Sequence, residues 1–390
     1  MNQKTIKKIC YIGAGTMGSY NALIAAIAGY QVTLFDQDED ALLTVRARQQ
    51  EIAGLLIASG KVSQVAIDNC WARVRTCSDL AVAIGDADLV SESVTESLEI
   101  KRTVLRQLEA LMRPGTLLTS NTSALLPSDM DVGLRDGETF AALHSYLGAP
   151  LMDIVPGPRA SERVVAVLEQ YVRSLGCVPM VLHKEYPGYI LNSLLGPLLT
   201  TAMLLVSRSR ATVEQVDRAW MRHMGGTMGP FGMMDLFGLN VVLDSWRRPA
   251  QTHHRAQFKA EIIRCLQPIV AAGHTGMKSG QGFYCYPAPT YASESFLRSE
   301  PVCEEIFTAL IGSVVQAGLL IVADGAASAE EVDRAWRIGT TLKTAPLELV
   351  TTGTSQVLRE EVLSTRSDLS LLSETQQQQA RGALAVAAPA

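Results

Sequence analysis

The chain has 390 residues, 47% hydrophobic and 19% charged, which is enough apolar material for the cores of two or three domains and too much for a disordered or fibrous chain. A net charge of −5 without any long basic cluster argues against a nucleic-acid or anionic-membrane surface, so an anionic ligand has to be held locally. Seven scattered cysteines with no CxxC pair suit reduced thiols and no metal site, no apolar run is read as long enough to cross a membrane, and the N-terminal residues lack a signal-peptide pattern; a cytoplasmic protein is expected.

Residues 6–12, IKKICYI, read as a strand ending in Gly13; apolar residues then recur at helical spacing over 21–29, and a second strand follows at 31–35. This is a β-α-β unit. The turn inside it, Gly13-Ala14-Gly15-Thr16-Met17-Gly18, has the pattern G-x-G-x-x-G, and Asp36 closes the next strand. Each part has a physical role: Gly13 allows the tight turn, Gly15 lets backbone approach a pyrophosphate at the helix N-terminus, and Gly18 permits close helix-to-strand packing. The Asp36 carboxylate accepts hydrogen bonds from ribose hydroxyls and repels a 2′-phosphate, and with Gln37 after it and no arginine nearby, NAD is favoured; FAD is the formal alternative.

Further strands are expected at 87–91, 116–119, 140–143, 154–155 and 178–181, alternating with helical patterns. That alternation predicts an α/β Rossmann-type domain with a mostly parallel sheet covered on both faces, over residues 1–184. Helical patterns dominate after Tyr186-Pro187-Gly188. TVEQVDRAW (212–220) and SAEEVDRAW (328–336) match at an offset of 116, which also pairs Ile190 with Ile306, Leu194 with Leu310 and Pro230 with Pro346. The expectation is an all-α C-terminal domain in two tandem copies, 185–295 and a degenerate 296–364, then a poorly ordered tail, 365–390.

Several segments carry polar residues in otherwise apolar surroundings: ADLVSESVTESLEIKRTVLRQLEALMRPGTLLTSNTSAL (87–125), LHSYLGAPLMDIVP (143–156), YPGYILNSLLGPLL (186–199), MGPFGMMDLFGL (228–239) and GMKSGQGFYCY (276–286). In this order they resemble the 3-hydroxyacyl-CoA dehydrogenase family over about residues 5–290. The resemblance implies NAD-dependent interconversion of an L-3-hydroxyacyl thioester and its 3-ketoacyl form, with acyl-CoA or an acyl-carrier protein bringing the substrate. It makes His144 the acid/base and Asp153 its partner; near-neutral pKa and an orienting carboxylate are what removal of a hydroxyl proton needs. By the same likeness Ser123 and Asn192 bind the substrate oxygen, Glu96, Lys101 and Asn121 lie near the cofactor, and Lys61 faces the CoA phosphates. Ser123 also suits a helix cap, Asn192 a backbone contact, and Lys61 a solvated helix end.

The chain departs from the family at the histidine. H-x-x-N-P is replaced by His144-Ser145-Tyr146-Leu147-Gly148, and an aspartate nine residues on stands where a glutamate comes about twelve on, so the loop is shorter by about three residues. The second copy has Thr308 at the position of Asn192 and reads as a structural repeat. Two function classes follow: an active dehydrogenase of a 3-hydroxyacyl thioester, with a free polar 3-hydroxy acid as a variant, or a NAD-binding protein that has lost turnover. Monomer and homodimer are both compatible with the duplicated unit.

Overall fold

The computed structural model describes residues 6–247, 254–299, 301, 303–351 and 370–387. The chain divides into two compact units, Met1–Tyr189 and Ile190–Ala390. The boundary expected at Lys184 therefore moves to Tyr189, because the Pro187-Gly188-Tyr189 turn belongs to the first unit, where the Tyr189 hydroxyl donates to the Leu125 carbonyl.

The first unit is built on strands β1 (Lys8–Ile12), β2 (Gln31–Phe35), β3 (Val74–Cys77), β4 (Leu89–Glu92), β5 (Leu117–Ser120), β6 (Phe140–Ser145), β7 (Leu151–Pro156) and β8 (Val178–Val181). They form one sheet in the order β3-β2-β1-β4-β5-β6-β7-β8. Pairing is parallel from β3 across to β6; β7 runs antiparallel to β6 and parallel to β8. Ile9, Cys10, Tyr11 and Ile12 are all buried, as expected of a central strand covered on both faces. The sequence reading passes over β3, whose residues VRTC form a short edge strand without a buried residue and so without an apolar pattern.

Helices α1 (Thr16–Ile27), α2 (Glu39–Ala58), α3 (Gln64–Cys70), α4 (Leu80–Ile84), α5 (Leu98–Leu111), α6 (Pro127–Met130) and α7 (Glu162–Ser174) complete this unit. Asp38, Ser63 and Asp79 cap α2, α3 and α4 by accepting a backbone N–H in the first turn. On α5 the buried residues are Lys101, Leu105 and Leu108, one stripe at helical spacing.

The second unit is helical: α8 (Leu191–Ser207), α9 (Val213–Met224), α10 (Pro230–Phe237), α11 (Leu239–Arg247), α12 (Lys259–Ala271), α13 (Glu304–Ala323), α14 (Ala329–Thr340), α15 (Glu348–Thr351) and α16 (Glu374–Ala387). Part of the tail expected to be poorly ordered forms α16, started by a capping box in which Ser373 and Gln376 serve each other's backbone N–H; Ala380 and Leu384, one turn apart, are buried, and α16 packs on α13. The glutamine run hid it, since glutamine forms helices readily but carries no apolar period. And α13 is long and apolar enough to cross a membrane, contrary to the reading of the apolar runs; most of it is buried in this unit, as in a core helix apolar nearly all round.

Two buried aspartates hold neighbouring helices together. Asp217 on α9 accepts the N–H groups of Phe231 (2.9 Å) and Gly232 (3.0 Å) in the first turn of α10, plus the Tyr284 hydroxyl. Asp333 on α14 accepts those of Leu347 (2.9 Å) and Glu348 (2.8 Å). A carboxylate at a helix start satisfies orphan donors and complements the dipole. Asp217→Ala, which leaves two buried N–H groups unpaired, is expected to cost about 2–4 kcal/mol, and Asp333→Ala less because Glu348 is exposed; urea unfolding of the two variants checks the order.

Candidate active site

The carboxyl ends of β1, β4, β5 and β6 share one edge of the sheet, where ligands of doubly wound folds collect. At the end of β1, Gly13 has φ +100°, and a Cβ there would lie 2.9 Å from the Ser93 carbonyl oxygen. A Cβ on Gly18 would lie 1.9 Å from the Gly13 carbonyl oxygen, so both positions require glycine. A Cβ on Gly15, in contrast, would meet nothing within 4 Å: the turn is open where Thr16 and Met17 begin α1, whose first-turn N–H groups have no partner within the helix. Asp36, just past β2, accepts from Ala14 N (2.7 Å) and Asp38 N (3.0 Å) and is only half-buried. An open helix N-terminus with a carboxylate one strand away fits a pyrophosphate and a ribose, the two parts of NAD that a protein must grip. One arginine distant in sequence does come near: Arg48 of α2 donates to the Ala14 carbonyl and stands 3.3 Å from Ser19 Oγ.

Between β4 and β5 lies a buried ion cluster. Lys101 Nζ contacts Glu92 Oε1 at 2.7 Å, Glu96 Oε2 at 3.3 Å and the Val94 carbonyl at 3.2 Å, with both Lys101 and Glu92 almost wholly buried. The other Glu92 oxygen accepts the Ser120 hydroxyl at 2.6 Å. Glu96 Oε1 accepts the Thr122 hydroxyl (2.5 Å), Ser123 N (2.9 Å) and, longer, Ser123 Oγ (3.4 Å). Burial alone would push the Glu96 carboxyl up; Lys101 and these donors outweigh it and hold it below the usual carboxylate value. The cluster thus fixes the whole Ser120-Asn121-Thr122-Ser123 turn. Ser123 is not a helix cap, since α6 starts after Leu126.

Asn121 Oδ1 accepts the Ser145 N–H (2.9 Å), joining this turn to the end of β6. Ser145 Oγ lies 2.8 Å from Asn21 Oδ1 on α1 and 3.0 Å from Asn121 Oδ1; its single proton serves one of them at a time. The next residue back is His144, 6% exposed, directly opposite the fully buried Asp153 in the β6–β7 register. His144 Nδ1 stands 3.2 Å from Asp153 Oδ2. The shorter loop and the shorter carboxylate therefore compensate each other: antiparallel neighbours are close enough for aspartate to reach. Four contacts here were not foreseen from the sequence. The Tyr146 hydroxyl donates to the same Asp153 oxygen at 2.6 Å, and its ring meets His144 edge-on at 4.4 Å. Tyr189 packs its ring 5.6 Å from the imidazole, and Lys61, expected at CoA phosphates, donates to the Gly148 carbonyl in the loop. Asn192 occupies the first turn of α8, in the second unit.

Comparison with known proteins follows the same division. Residues 8–186 match the 3-hydroxyacyl-CoA dehydrogenase NAD-binding domain and residues 188–286 the C-terminal domain of that family. A probable 3-hydroxyacyl-CoA dehydrogenase of Caenorhabditis elegans is 33% identical over 72% of this chain and 93% of its own length. Among solved structures, a diketoreductase acting on dicarbonyl compounds is 31% identical and covers 73% of this chain and all of its own (TM-score 0.65). The 3-hydroxybutyryl-CoA dehydrogenase of Escherichia coli, at 20% identity, shares the fold over 98% of this chain and all of its own (TM-score 0.77).

Two outcomes are expected. Asp36→Asn weakens NADH binding about tenfold while NADPH binding improves relative to it, as read by fluorescence titration, because one charge-assisted acceptor and one repulsive charge are lost. Lys101→Met leaves buried carboxylates without a cation and costs about 3–5 kcal/mol in chemical unfolding.

Proposed function

Because the chain belongs to the 3-hydroxyacyl-CoA dehydrogenase family and is an NAD-dependent oxidoreductase of that kind, we propose that it interconverts an L-3-hydroxyacyl thioester and its 3-ketoacyl form, with His144 as acid/base. The observation that carries the reading is the His144–Asp153 pair at the sheet edge that also holds the glycine turn. Asp153 accepts a hydrogen bond from Nδ1–H and so fixes the tautomer, Nε2 keeps its lone pair for the substrate hydroxyl, and the buried anion stabilises the imidazolium formed on oxidation. NAD, when bound, would accept the hydride that leaves C3 of the hydroxyacyl group. Ser123, held by Glu96 through its N–H, offers its hydroxyl to the substrate oxygen; by the family likeness Glu96 would face the nicotinamide ribose, with the buried Lys101 acting on it only through Glu96.

His144→Gln is expected to keep NADH binding and to lose about a thousandfold in the NADH-dependent reduction of acetoacetyl-CoA. Wild-type turnover in that variant would remove His144 from the role. A second substrate class is supported by the 31% identity to an enzyme of dicarbonyl compounds. Parallel assays with acetoacetyl-CoA, a carrier-bound 3-ketoacyl group and a free 3-ketoacid separate the classes.

The second unit is read as two tandem copies related by a pseudo-twofold axis. Support comes from positions 116 apart that do the same task, Asp217 and Asp333 at helix starts, and capping boxes at Thr212 and Ser328. Equivalent positions also meet each other, as positions beside a twofold axis do: Trp220 and Trp336 pack edge-on with centroids 6.1 Å apart, and α8 packs on α13. With Thr308 at the position of Asn192, the second copy serves as scaffold.

A further inference from the structure

We propose that Tyr146 is the positioning residue that makes the aspartate on this shortened loop a competent partner for His144; the proposal deepens the acid/base reading above and rests on it. Asp153 is fully buried, and its two oxygens are unequally served. Oδ2 faces both His144 Nδ1 (3.2 Å) and the Tyr146 hydroxyl (2.6 Å), whereas Oδ1 is buried with no hydrogen-bond partner among the described residues. A buried carboxylate served by a single imidazole would be poorly compensated and free to rotate about its terminal torsion. The tyrosine proton removes both problems: it supplies a second donor to the charged form and fixes which oxygen faces the imidazole.

The tyrosine is itself held. Its ring stands edge-on to His144, and the loop that carries it is tied on the far side by Lys61 Nζ to the Gly148 carbonyl and by Gly148 N to the Tyr20 hydroxyl on α1. Gly148 has φ +80°, a turn conformation that lets the chain reverse within five residues between β6 and β7. The shortened loop thus does two things at once. It brings a short carboxylate opposite the histidine, and it places a hydroxyl over that carboxylate.

Tyr146→Phe tests this while keeping the ring against His144. The expected result is a tenfold fall in kcat with KM for NADH and for the ketoacyl substrate unchanged, about the size seen when the partner of an active-site ligand is removed. In an Asp153→Asn background the same substitution is expected to cost less than twofold, because the hydroxyl acts only through the carboxylate. A readout independent of turnover is the Nδ1 proton of His144 in the low-field proton spectrum, assigned by its loss in His144→Gln. It shifts in Tyr146→Phe, as the carboxylate loses a competing donor and accepts more strongly from the imidazole. An unchanged resonance, or equal losses of kcat in the two backgrounds, overturns the proposal for Tyr146 and leaves His144 as base untouched. Full turnover in His144→Gln instead removes the base, and the positioning role with it.

Discussion

The buried contact of Lys101 with Glu92 and Glu96 is the constraint from which the site geometry derives. Glu92 ends β4, Lys101 projects from α5, and the remaining carboxylate oxygens reach Ser120, Thr122 and Ser123 at the end of β5. Two adjacent strand ends and a helix are thereby locked by charges that cannot turn to solvent. Such a cluster contributes little net stability, since desolvation offsets most of the Coulomb gain, but its geometry has few alternatives. From the turn it fixes, Asn121 reaches Ser145 and so sets the neighbour of His144. The order of dependence runs from buried charge to turn to histidine.

Much of this was legible in the sequence because it is local. The glycine turn, the strand before it and Asp36 lie within one β-α-β unit, and Gly13 and Gly18 have a steric reason visible in the backbone. His144 and Asp153 were also legible, being nine residues apart and, in antiparallel register, directly opposed. What escaped depends on packing between distant segments. Arg48 reaches the cofactor turn only because α2 folds back over α1. Tyr146 looked like part of an altered loop; only the hairpin geometry turns its hydroxyl onto Asp153. The edge strand β3 and helix α16 lacked an apolar period, one because it buries little and the other because glutamines mask it.

The β6–β7 hairpin shows how a sequence can leave its family's pattern and keep an imidazole beside a carboxylate. A shorter loop would misplace a long carboxylate, and a short carboxylate would miss from a long loop. Changed together, they restore an imidazole-carboxylate contact. Ser145 and Tyr146, at the two variable positions after the histidine, then find polar partners in Asn121, Asn21 and Asp153. The departure is local and internally balanced.

The packing of Trp220 against Trp336 carries a consequence for how the helical unit can change. Where such a contact is made between separate chains, its strength depends on protein concentration, and every substitution appears on both sides. Here both tryptophans belong to one chain, so dilution leaves the contact intact and each side varies on its own. On the tandem-copy reading proposed above, Asn192 in the first turn of one helix and Thr308 at the matching place on the other are a record of that independence.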